Sequence, residues 1–444
     1  MAKVSAILIF SLLMFTACQD RLSRSDMEFM KNLTAEVIDS SRILAGENLP
    51  GSISSFGPNN SGITLIRPGG RDCYPSFWIR DYAMSLESGF ITETEQLQML
   101  LYTAARQSDS SWVSSMGSLI PPGSIPDHIR INDGLPIYFP GTYSYENQGN
   151  KMWMLPPYGD QYFFIHMAWY YISISNDLKI LEETVNEKML LQRMEEAFWS
   201  VPGDNDSPLL RIDTSFQTCD FGFRDVVTMS GEVCFGSLLK YRAAREMAGL
   251  FRQSGLESKA KKYESIAEKI AVLIPPTFAD ERGFLLASTG ISSQADVWAT
   301  AFAVYIDVLE EPYKTKACKA LVDSYIAGTM AVEGQIRHVL SSDNYSVTSA
   351  WEKAAAQINR YQNGAYWGTP SGWVCYAIYQ LDQGLAKQLA KEYINHLRIT
   401  DFRINPSTHG GPYECIFPAD DYKQNPVYMT SVSVPYAAFL KLKY

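Results

Sequence analysis

The segment Phe77-Trp78-Ile79-Arg80-Asp81-Tyr82 delivers a tryptophan, an arginine and an aspartate together, where a loop enters the first turn of a helix. An aromatic ring offers a flat face to the C–H surface of a sugar, while a guanidinium and a carboxylate supply forked donors and acceptors for neighbouring hydroxyl groups. We therefore expect Trp78, Arg80 and Asp81 to form one wall of a carbohydrate-binding site. The alternative is a buried ion pair with a structural role.

Other polar and aromatic residues fit the same chemistry. Asp160 begins a strongly apolar helix and either accepts hydrogen bonds from sugar hydroxyls or caps that helix. Tyr366, Trp367 and Trp373 suit a stacking platform for a sugar, although packing in the core would also explain them.

The elements that position these residues are helices in pairs. Apolar periodicity and capping signals predict twelve helices, with short turns inside each pair and long, aromatic loops between pairs. The predicted helices cover residues 26–47, 77–89, 93–107, 160–175, 177–199, 229–253, 256–273, 294–309, 311–327, 370–381, 384–396 and 428–442. Six antiparallel pairs predict an all-α protein, an (α/α)6 toroid or six-hairpin barrel, with small β-hairpins such as residues 283–291.

The long loops occur at every second junction between helices, which puts them at one end of such a barrel. A pocket would form at that end. A stacked helical solenoid is the alternative, and it is weaker because its connections would not be long and aromatic at alternate junctions only.

Composition excludes several classes of function. With 46% hydrophobic residues in 444, the chain has ample material for a large core, so global disorder is excluded. A net charge of −10 argues against a nucleic-acid surface, because the chain has no lysine and arginine cluster that would offset phosphate charge.

The N-terminus is predicted to be a targeting segment. Lys3 precedes an apolar run too short to span a bilayer, and small residues lead to Cys18. This pattern resembles a bacterial lipoprotein signal, which implies a signal peptide at 1–18, lipidation of Cys18, a tether at 19–25 and a single catalytic domain at 26–444. We therefore expect a lipid-anchored protein of the bacterial cell envelope, periplasmic or on the outer-membrane surface, with ordinary secretion as the alternative.

Metal and cofactor sites are not expected. The six cysteines after Cys18 show no CxxC or Cys/His spacing, and five scattered histidines do not make a zinc site. Most of these cysteines lie in apolar surroundings, so buried free thiols are expected rather than disulfides.

The Trp-Ile-Arg-Asp segment resembles the Trp-x-Arg-Asp that glucoamylases and some α-mannosidases of the six-hairpin glycosidase class carry at the start of an inner helix. Further segments look like the same class: Asp220-Phe221-Gly222-Phe223-Arg224-Asp225, Gln294-Ala295-Asp296-Val297-Trp298, Asn363-Gly364-Ala365-Tyr366-Trp367 and Gly410-Gly411-Pro412-Tyr413-Glu414. The resemblance covers roughly residues 65–440. It implies an inverting glycosidase that uses two carboxyl groups and no metal, with Arg80 and Asp81 gripping the sugar in the −1 subsite.

Inversion requires one carboxylic acid that protonates the leaving oxygen and one carboxylate that activates water on the opposite face. We expect Asp225 to be the acid, because its aromatic neighbours would raise its pKa, and Glu414 to be the base, because it precedes the last helix where the class carries its base. The alternative explanation for Asp225 is that it caps a helix. The alternative for Glu414 is that it is an ordinary carboxylate on a surface loop. The rivals are Asp220 and Glu232 for the acid, and Asp420, Asp421 and Glu352 for the base.

The function expected from the sequence is therefore an exo-acting, inverting glycoside hydrolase that releases a terminal sugar from an oligosaccharide. An unsaturated-uronyl hydrolase would share the barrel, and the segment from Tyr366 to Trp373 has a faint likeness to that type. A glycan-binding lipoprotein without activity is the non-enzymatic alternative, because it needs the aromatic platform and no paired carboxylates.

Overall fold

The computed structural model describes residues 22–69, 73–114, 117–140, 154–203, 207–214, 218–404 and 410–442. The predicted signal peptide and Cys18 lie outside the described residues. In the described part, no helix is both long and apolar enough to cross a bilayer.

Helices dominate the described part of the chain. In chain order they are α1 (Arg24–Ser41), α2 (Ile79–Ser85), α3 (Glu93–Ala104), α4 (Gly159–Ser175), α5 (Leu190–Ser200), α6 (Cys234–Gln253), α7 (Glu257–Phe278), α8 (Val297–Tyr305), α9 (Tyr313–Ile326), α10 (Ser371–Tyr379), α11 (Gln383–Ile399) and α12 (Thr430–Phe439). The helix-rich class predicted from the sequence is confirmed, and each helix overlaps one predicted segment.

Even-numbered helices lie inside and odd-numbered helices lie outside. Every residue of α2 and of α12 is buried, whereas α1 and α11 bury one face only. Contacts run from α2 to α4, α6, α8, α10 and α12 in turn, and α12 contacts α2, so these six helices form a closed circuit. Odd-numbered helices pack against this circuit: α3 and α5 contact α4, α7 contacts α6, α9 contacts α8 and α10, α11 contacts α10, and α1 contacts α12.

Local sequence explains several helix starts. Ser23 and Asp26 form a capping box at α1, and Thr92 forms one with Glu95 at α3. Asp382 caps α11 by accepting a hydrogen bond from the backbone N–H of Leu385 at 2.9 Å.

Short strands fill the loops. They are β1 (Arg42–Ile43), β2 (Leu65–Ile66), β3 (Ser76–Trp78), β4 (Trp112–Val113), β5 (Leu119–Ile120), β6 (His128–Arg130), β7 (Pro136–Ile137), β8 (Thr184–Val185), β9 (Lys188–Met189), β10 (Leu210–Ile212), β11 (Gly231–Val233), β12 (Leu285–Leu286), β13 (Ala295–Asp296), β14 (Ala331–Val332), β15 (Gln335–Ile336), β16 (Tyr366–Trp367), β17 (Tyr413–Phe417) and β18 (Tyr422–Pro426). Two antiparallel sheets position the candidate site: β3-β6-β7 and the five-stranded β14-β15-β16-β17-β18.

Two local predictions are wrong. The helix predicted at 177–199 is a 3₁₀ turn and the β8–β9 hairpin followed by α5, because Asn186 and Glu187 adopt positive φ angles of 45° and 68° and form the hairpin turn. The hairpin predicted at residues 283–291 pairs β12 with β13 and so reaches Asp296, which shortens the predicted helix at 294–309 to α8.

Candidate active site

The candidate site lies where the even-numbered helices begin. Trp78 precedes α2, Asp160 is the second residue of α4, and Asp225 lies in the loop before α6. Glu414 lies on β17, in the sheet that precedes α12. The sequence predictions therefore meet at one end of the helical circuit.

Strand pairing places the first wall of the site. The register of β3 and β6 sets Trp78 opposite His128, and their rings stack at a centroid distance of 4.3 Å. Tyr74 packs edge-on against the same indole at 4.8 Å. Trp78 is thus held between two aromatic neighbours that the sequence did not connect to it.

Arg80 pairs with two aspartates other than its neighbour in sequence. Its Nη1 contacts Asp127 closely and lies 3.4 Å from Oδ1 of Asp160, and all three side chains are buried. Gly222 lies directly against the guanidinium, since a Cβ at that position would come within 2.1 Å of Arg80 Cζ. We call Arg80, Asp127 and Asp160 the first arginine triad.

The charges in this triad are unequal. Burial raises the pKa of Asp127, but the Arg80 charge and the hydrogen bond from His128 outweigh it and hold that pKa below its usual value. Burial, with the charges of Asp127 and Asp81, raises the pKa of Asp160 well above its usual value against the opposing effect of Arg80. One carboxyl of the triad is therefore the anion, and the other favours its neutral form.

Asp81 points to a different partner. Its Oδ1 accepts a hydrogen bond of 2.5 Å from the hydroxyl of Tyr428, just before α12. Burial raises the pKa of Asp81 to about 6, although Arg80 and this hydrogen bond oppose the shift. Arg80 and Asp81 are close in space, yet each has its own hydrogen-bond partners.

Glu414 is 0% exposed and is held by one oxygen only. The register of β17 and β18 pairs Cys415 with Gln424 and Tyr413 with Pro426, which sets Glu414 opposite Asn425. Oε2 of Glu414 accepts hydrogen bonds from the hydroxyl of Tyr74, at 2.7 Å, and from the side-chain amide of Asn425. Among the described residues, Oε1 of Glu414 is buried without a hydrogen-bond partner.

The environment of Glu414 favours its neutral form. Burial raises its pKa to about 7, the two hydrogen bonds oppose this shift, and the charges of Asp81 and Asp225 add to it. The carboxyl groups of Asp81 and Asp225 are therefore close enough to affect the ionisation of Glu414, although the three residues come from separate segments of the chain.

Asp225 is half-buried, with Oδ1 accepting a hydrogen bond of 2.6 Å from the side chain of Gln362. Burial raises its pKa to about 6, while the Arg80 charge lowers it and the Asp127 charge raises it. Phe223, two residues before Asp225, packs with its ring centroid 6.0 Å from the Arg80 guanidinium.

The rival carboxylates are each held elsewhere. Asp220 lies fully buried beside Arg224 at 3.6 Å, and Glu232 lies on β11, 3.6 Å from Arg211. The base rivals also have other partners: Asp420 pairs with Arg360, Asp421 with Lys423, and Glu352 accepts a hydrogen bond from the backbone of Ser292.

The three residues of the predicted aromatic platform pack against different aromatic partners. Trp367 is 0% exposed and packs between Phe223 and Trp298, at centroid distances of 5.6 Å to each. Trp373 lies on α10 against Phe302, at 4.8 Å, in the interior of the helical circuit. Tyr366 stacks on Phe417 at 6.1 Å. The core explanation that the sequence left open thus describes Trp367 and Trp373.

Several residues of the site were not found from the sequence. Tyr74, Tyr361 and Asn425 surround Glu414 or Asp225, and all three have positive φ angles, of 58°, 47° and 45°. Such angles are uncommon outside glycine and gather where a side chain must be aimed for function. Sequence spacing gives no signal for Tyr74 or Asn425, because strand pairing and tertiary packing bring them to Glu414.

Among the described residues, no group of three or more His, Cys, Asp or Glu side chains has a metal-binding arrangement. The six cysteines in this part of the chain are free thiols, and five of them are buried.

Comparisons with known proteins bear on the fold. No protein-family model matches the chain, and no curated protein is similar to it in sequence. The fold is similar to that of a GH78 family rhamnosidase of Bacillus sp. GL1, with a TM-score of 0.51 and 11% sequence identity. The alignment covers 95% of this chain and 35% of the rhamnosidase, so the chain spans about a third of that enzyme's length. At this identity the likeness concerns the fold alone.

Proposed function

We propose that this protein is an exo-acting, inverting glycoside hydrolase with Asp225 and Glu414 as its two catalytic carboxyl groups. The observation that carries the proposal is their convergence: each has a raised pKa, and the charge of Asp225 contributes to the shift of Glu414. Two carboxyl groups whose ionisation is tuned near neutrality are what acid–base hydrolysis of a glycoside needs. A binding protein needs no such pair.

The accessibility of the two groups supports different roles. Asp225 is half-buried and can reach the oxygen of a leaving group that extends towards solvent. Glu414 is buried, and its Oε1 is free to accept a hydrogen bond from an attacking water, while Oε2 is held by Tyr74 and Asn425. We therefore assign Asp225 as the general acid and Glu414 as the general base. Glu414 has the higher pKa, about 7 against about 6 for Asp225, so these roles require substrate binding to reverse the order of the two values.

The sugar would be held by the groups that surround this pair. Trp78 supplies an aromatic surface, and Asp81 and Asp160 supply carboxyl oxygens for hydroxyl groups. All side chains of the first arginine triad are buried, so solvent does not reach the site on the side where they lie. A site closed on that side suits a terminal sugar, which is the reason for proposing an exo mode of action.

The wider architecture fits the same function. We propose that the six helix pairs form an (α/α)6 toroid, on the basis of the closed circuit from α2 to α12 and the contact of α12 with α2. The rhamnosidase with a similar fold is named as a glycoside hydrolase family member, which supports a carbohydrate substrate and puts rhamnosides among the first substrates to test.

The envelope location is a separate proposal that rests on residues 1–18 of the sequence. Metabolic labelling with a radioactive fatty acid should mark the protein and should fail in Cys18→Ala. Labelling that persists in the variant would exclude Cys18 as the anchor.

The assignment of roles is tested with leaving groups of different acidity. Asp225→Asn should lose about 10²–10⁴-fold activity on a glycoside with a poor leaving group, and should keep most of it on a dinitrophenyl glycoside, whose leaving group needs no proton. Glu414→Gln should lose about 10²–10⁴-fold activity on both. The substrates are methyl and dinitrophenyl glycosides of rhamnose, glucose and mannose, and proton NMR of the fresh product should show an inverted anomer.

The opposite pattern in the two variants would exchange the roles of Asp225 and Glu414. Full activity of both variants would remove them from the mechanism, and a retained anomer would exclude inversion.

A further inference from the structure

A cavity lies at the end of the helical circuit opposite the candidate active site. Its volume is about 1070 Å³. The lining includes C-terminal parts of even-numbered helices, with Trp169 on α4, Arg242 and Glu246 on α6 and Tyr305 at the end of α8, and also residues of the outer helix α7 such as Glu264 and Pro275. Asp225 and Glu414 lie where these helices begin. The length of the helices, roughly 10–30 Å at 1.5 Å per residue, therefore separates the two sites.

The floor of this cavity carries a donor and an acceptor without partners. Arg242 and Glu246 are four residues apart on α6, with Arg242 Nε 3.9 Å from Oε1 of Glu246. His166 Nδ1 lies 2.6 Å from that same oxygen. Among the described residues, Arg242 Nη2 and Glu246 Oε2 are buried without hydrogen-bond partners. Buried polar groups are rarely left without hydrogen-bond partners. A ligand that both donates and accepts hydrogen bonds would satisfy Arg242 Nη2 and Glu246 Oε2.

Aromatic side chains form the walls. Trp169 packs closely against α6 at Gly249, where a Cβ would come within 2.8 Å of the indole. Tyr305 faces the same space, its hydroxyl fixed by Glu87 at 2.6 Å. Flat rings beside paired donors and acceptors are the composition that suits the C–H and hydroxyl faces of a sugar.

Charge on the rim argues against an anionic ligand. Arg245, Arg252 and Lys441 line the cavity, but so do Glu264 and Glu268. Arg252 pairs with Glu264 at 2.8 Å, so its charge is already compensated. A ligand with hydroxyl groups and no net charge fits a lining that contains both positive and negative side chains.

We propose that this cavity is a second saccharide-binding site, which takes a neutral oligosaccharide of a few sugar units. The volume is at the upper end of the range for small-molecule pockets. The inference goes beyond the proposed hydrolysis, because binding here requires none of the catalytic carboxyls.

The experiment uses the full chain carrying Glu414→Gln as the host, so that no probe is hydrolysed. The probes are maltotriose, mannotriose and rhamnose, titrated by calorimetry and soaked into crystals, with inorganic phosphate as the anionic control. We expect saturable binding of at least one sugar at Trp169 and Arg242. Adding Trp169→Ala to the host should weaken this binding at least tenfold, and Trp199→Ala, which removes an exposed tryptophan elsewhere, should leave it unchanged.

Two further measurements separate this site from the candidate active site. Adding Asp81→Asn to the host should leave binding at the cavity unchanged, and Trp169→Ala in the otherwise native chain should leave hydrolysis of a dinitrophenyl glycoside unchanged. Failure of every sugar to bind outside the active site, equal binding in Trp169→Ala and Trp199→Ala, or preference for phosphate would each overturn the proposal. Sugar binding here without hydrolysis of any glycoside would leave this site standing and refute the proposed activity.

Discussion

Two buried arginines at the starts of the even-numbered helices have similar surroundings and different consequences. Arg80 lies between Asp127 and Asp160 in the first arginine triad. Arg224 lies between Asp220 and Asp296, which we call the second arginine triad, and all three of its side chains are 0% exposed.

The second triad is used by the fold. Asp296 caps α8 by accepting a hydrogen bond of 3.0 Å from the backbone N–H of Ala299, and Asp220 accepts one of 3.3 Å from that of Gly236 in α6. The carboxyl oxygens are thus directed at helix backbones, which is a structural role.

The first triad faces the candidate catalytic groups instead. The charge of Arg80 lowers the pKa of both Asp81 and Asp225, whereas the carboxylates that pair with Arg224 are Asp220 and Asp296. The comparison shows that a buried arginine between two aspartates does not by itself mark an active site. What distinguishes the first triad is that its arginine is close enough to Asp225, a candidate catalytic group, to lower the pKa of that carboxyl.

The largest expected effect lies outside both triads. Glu414→Gln keeps the size of the side chain and an oxygen that accepts from Tyr74 and Asn425, but it cannot take a proton from water. We expect turnover to fall by about 10²–10⁴-fold with no loss of folding. Steady-state kinetics measure the turnover, and circular dichroism measures the folding. Asp420→Asn is the control, because this carboxylate pairs with Arg360, and its rate should stay close to that of the native protein.

A substitution in the second triad should act on stability. Arg224→Met leaves Asp220 and Asp296 buried without their cation, and we expect a loss of about 3–5 kcal/mol in the free energy of unfolding. Urea denaturation at pH 7 measures it. Adding Asp220→Asn, which removes one of the two unpaired charges, should restore part of the loss; a double variant less stable than Arg224→Met would contradict this account.

The smallest expected effect tests whether the charge of Arg80 in the first arginine triad acts on Asp225. The positive charge of Arg80 lowers the pKa of Asp225, so Arg80→Met should raise that pKa by on the order of one unit. Because a general acid is active when protonated, the alkaline limb of the pH–rate profile should move to higher pH. Arg224→Met, assayed where it remains folded, is the matched control and should leave the limb in place; equal shifts in the two variants would erase the distinction between the triads.

Local patterns predicted much of the fold. Helices such as α1 and α3 carry both apolar periodicity and a capping box, so their positions are encoded in neighbouring residues. The helix predicted at residues 177–199 is wrong because a turn at Asn186 and Glu187 interrupts the helical pattern. The sheet β14-β15-β16-β17-β18 joins segments that lie tens of residues apart, which no local pattern reveals.

The site shows the same division. Asp225 could be proposed from its aromatic neighbours in the sequence and Glu414 from the resemblance to six-hairpin glycosidases, and the structure brings the two carboxyl groups together. Aromatic residues could not be assigned in this way. Trp367 packs in the core and Trp78 lies in the site, but their neighbours in the sequence do not distinguish the two. Tyr74 reaches Glu414 across 340 positions of the chain, through tertiary structure alone.

The closed circuit of helices has a consequence for how the chain folds. The circuit is completed by contacts of α12 with α1 and α2, and Lys391 pairs with Asp26 at 2.7 Å across the same seam. These contacts span almost the whole length of the described chain, so they form late and slowly. A chain that emerges from its N-terminus, at a ribosome or through a membrane, therefore has its apolar inner helices uncovered until the last one arrives. We therefore expect the yield of active protein to be limited by how well these exposed inner helices are protected during folding, rather than by the stability of the folded protein.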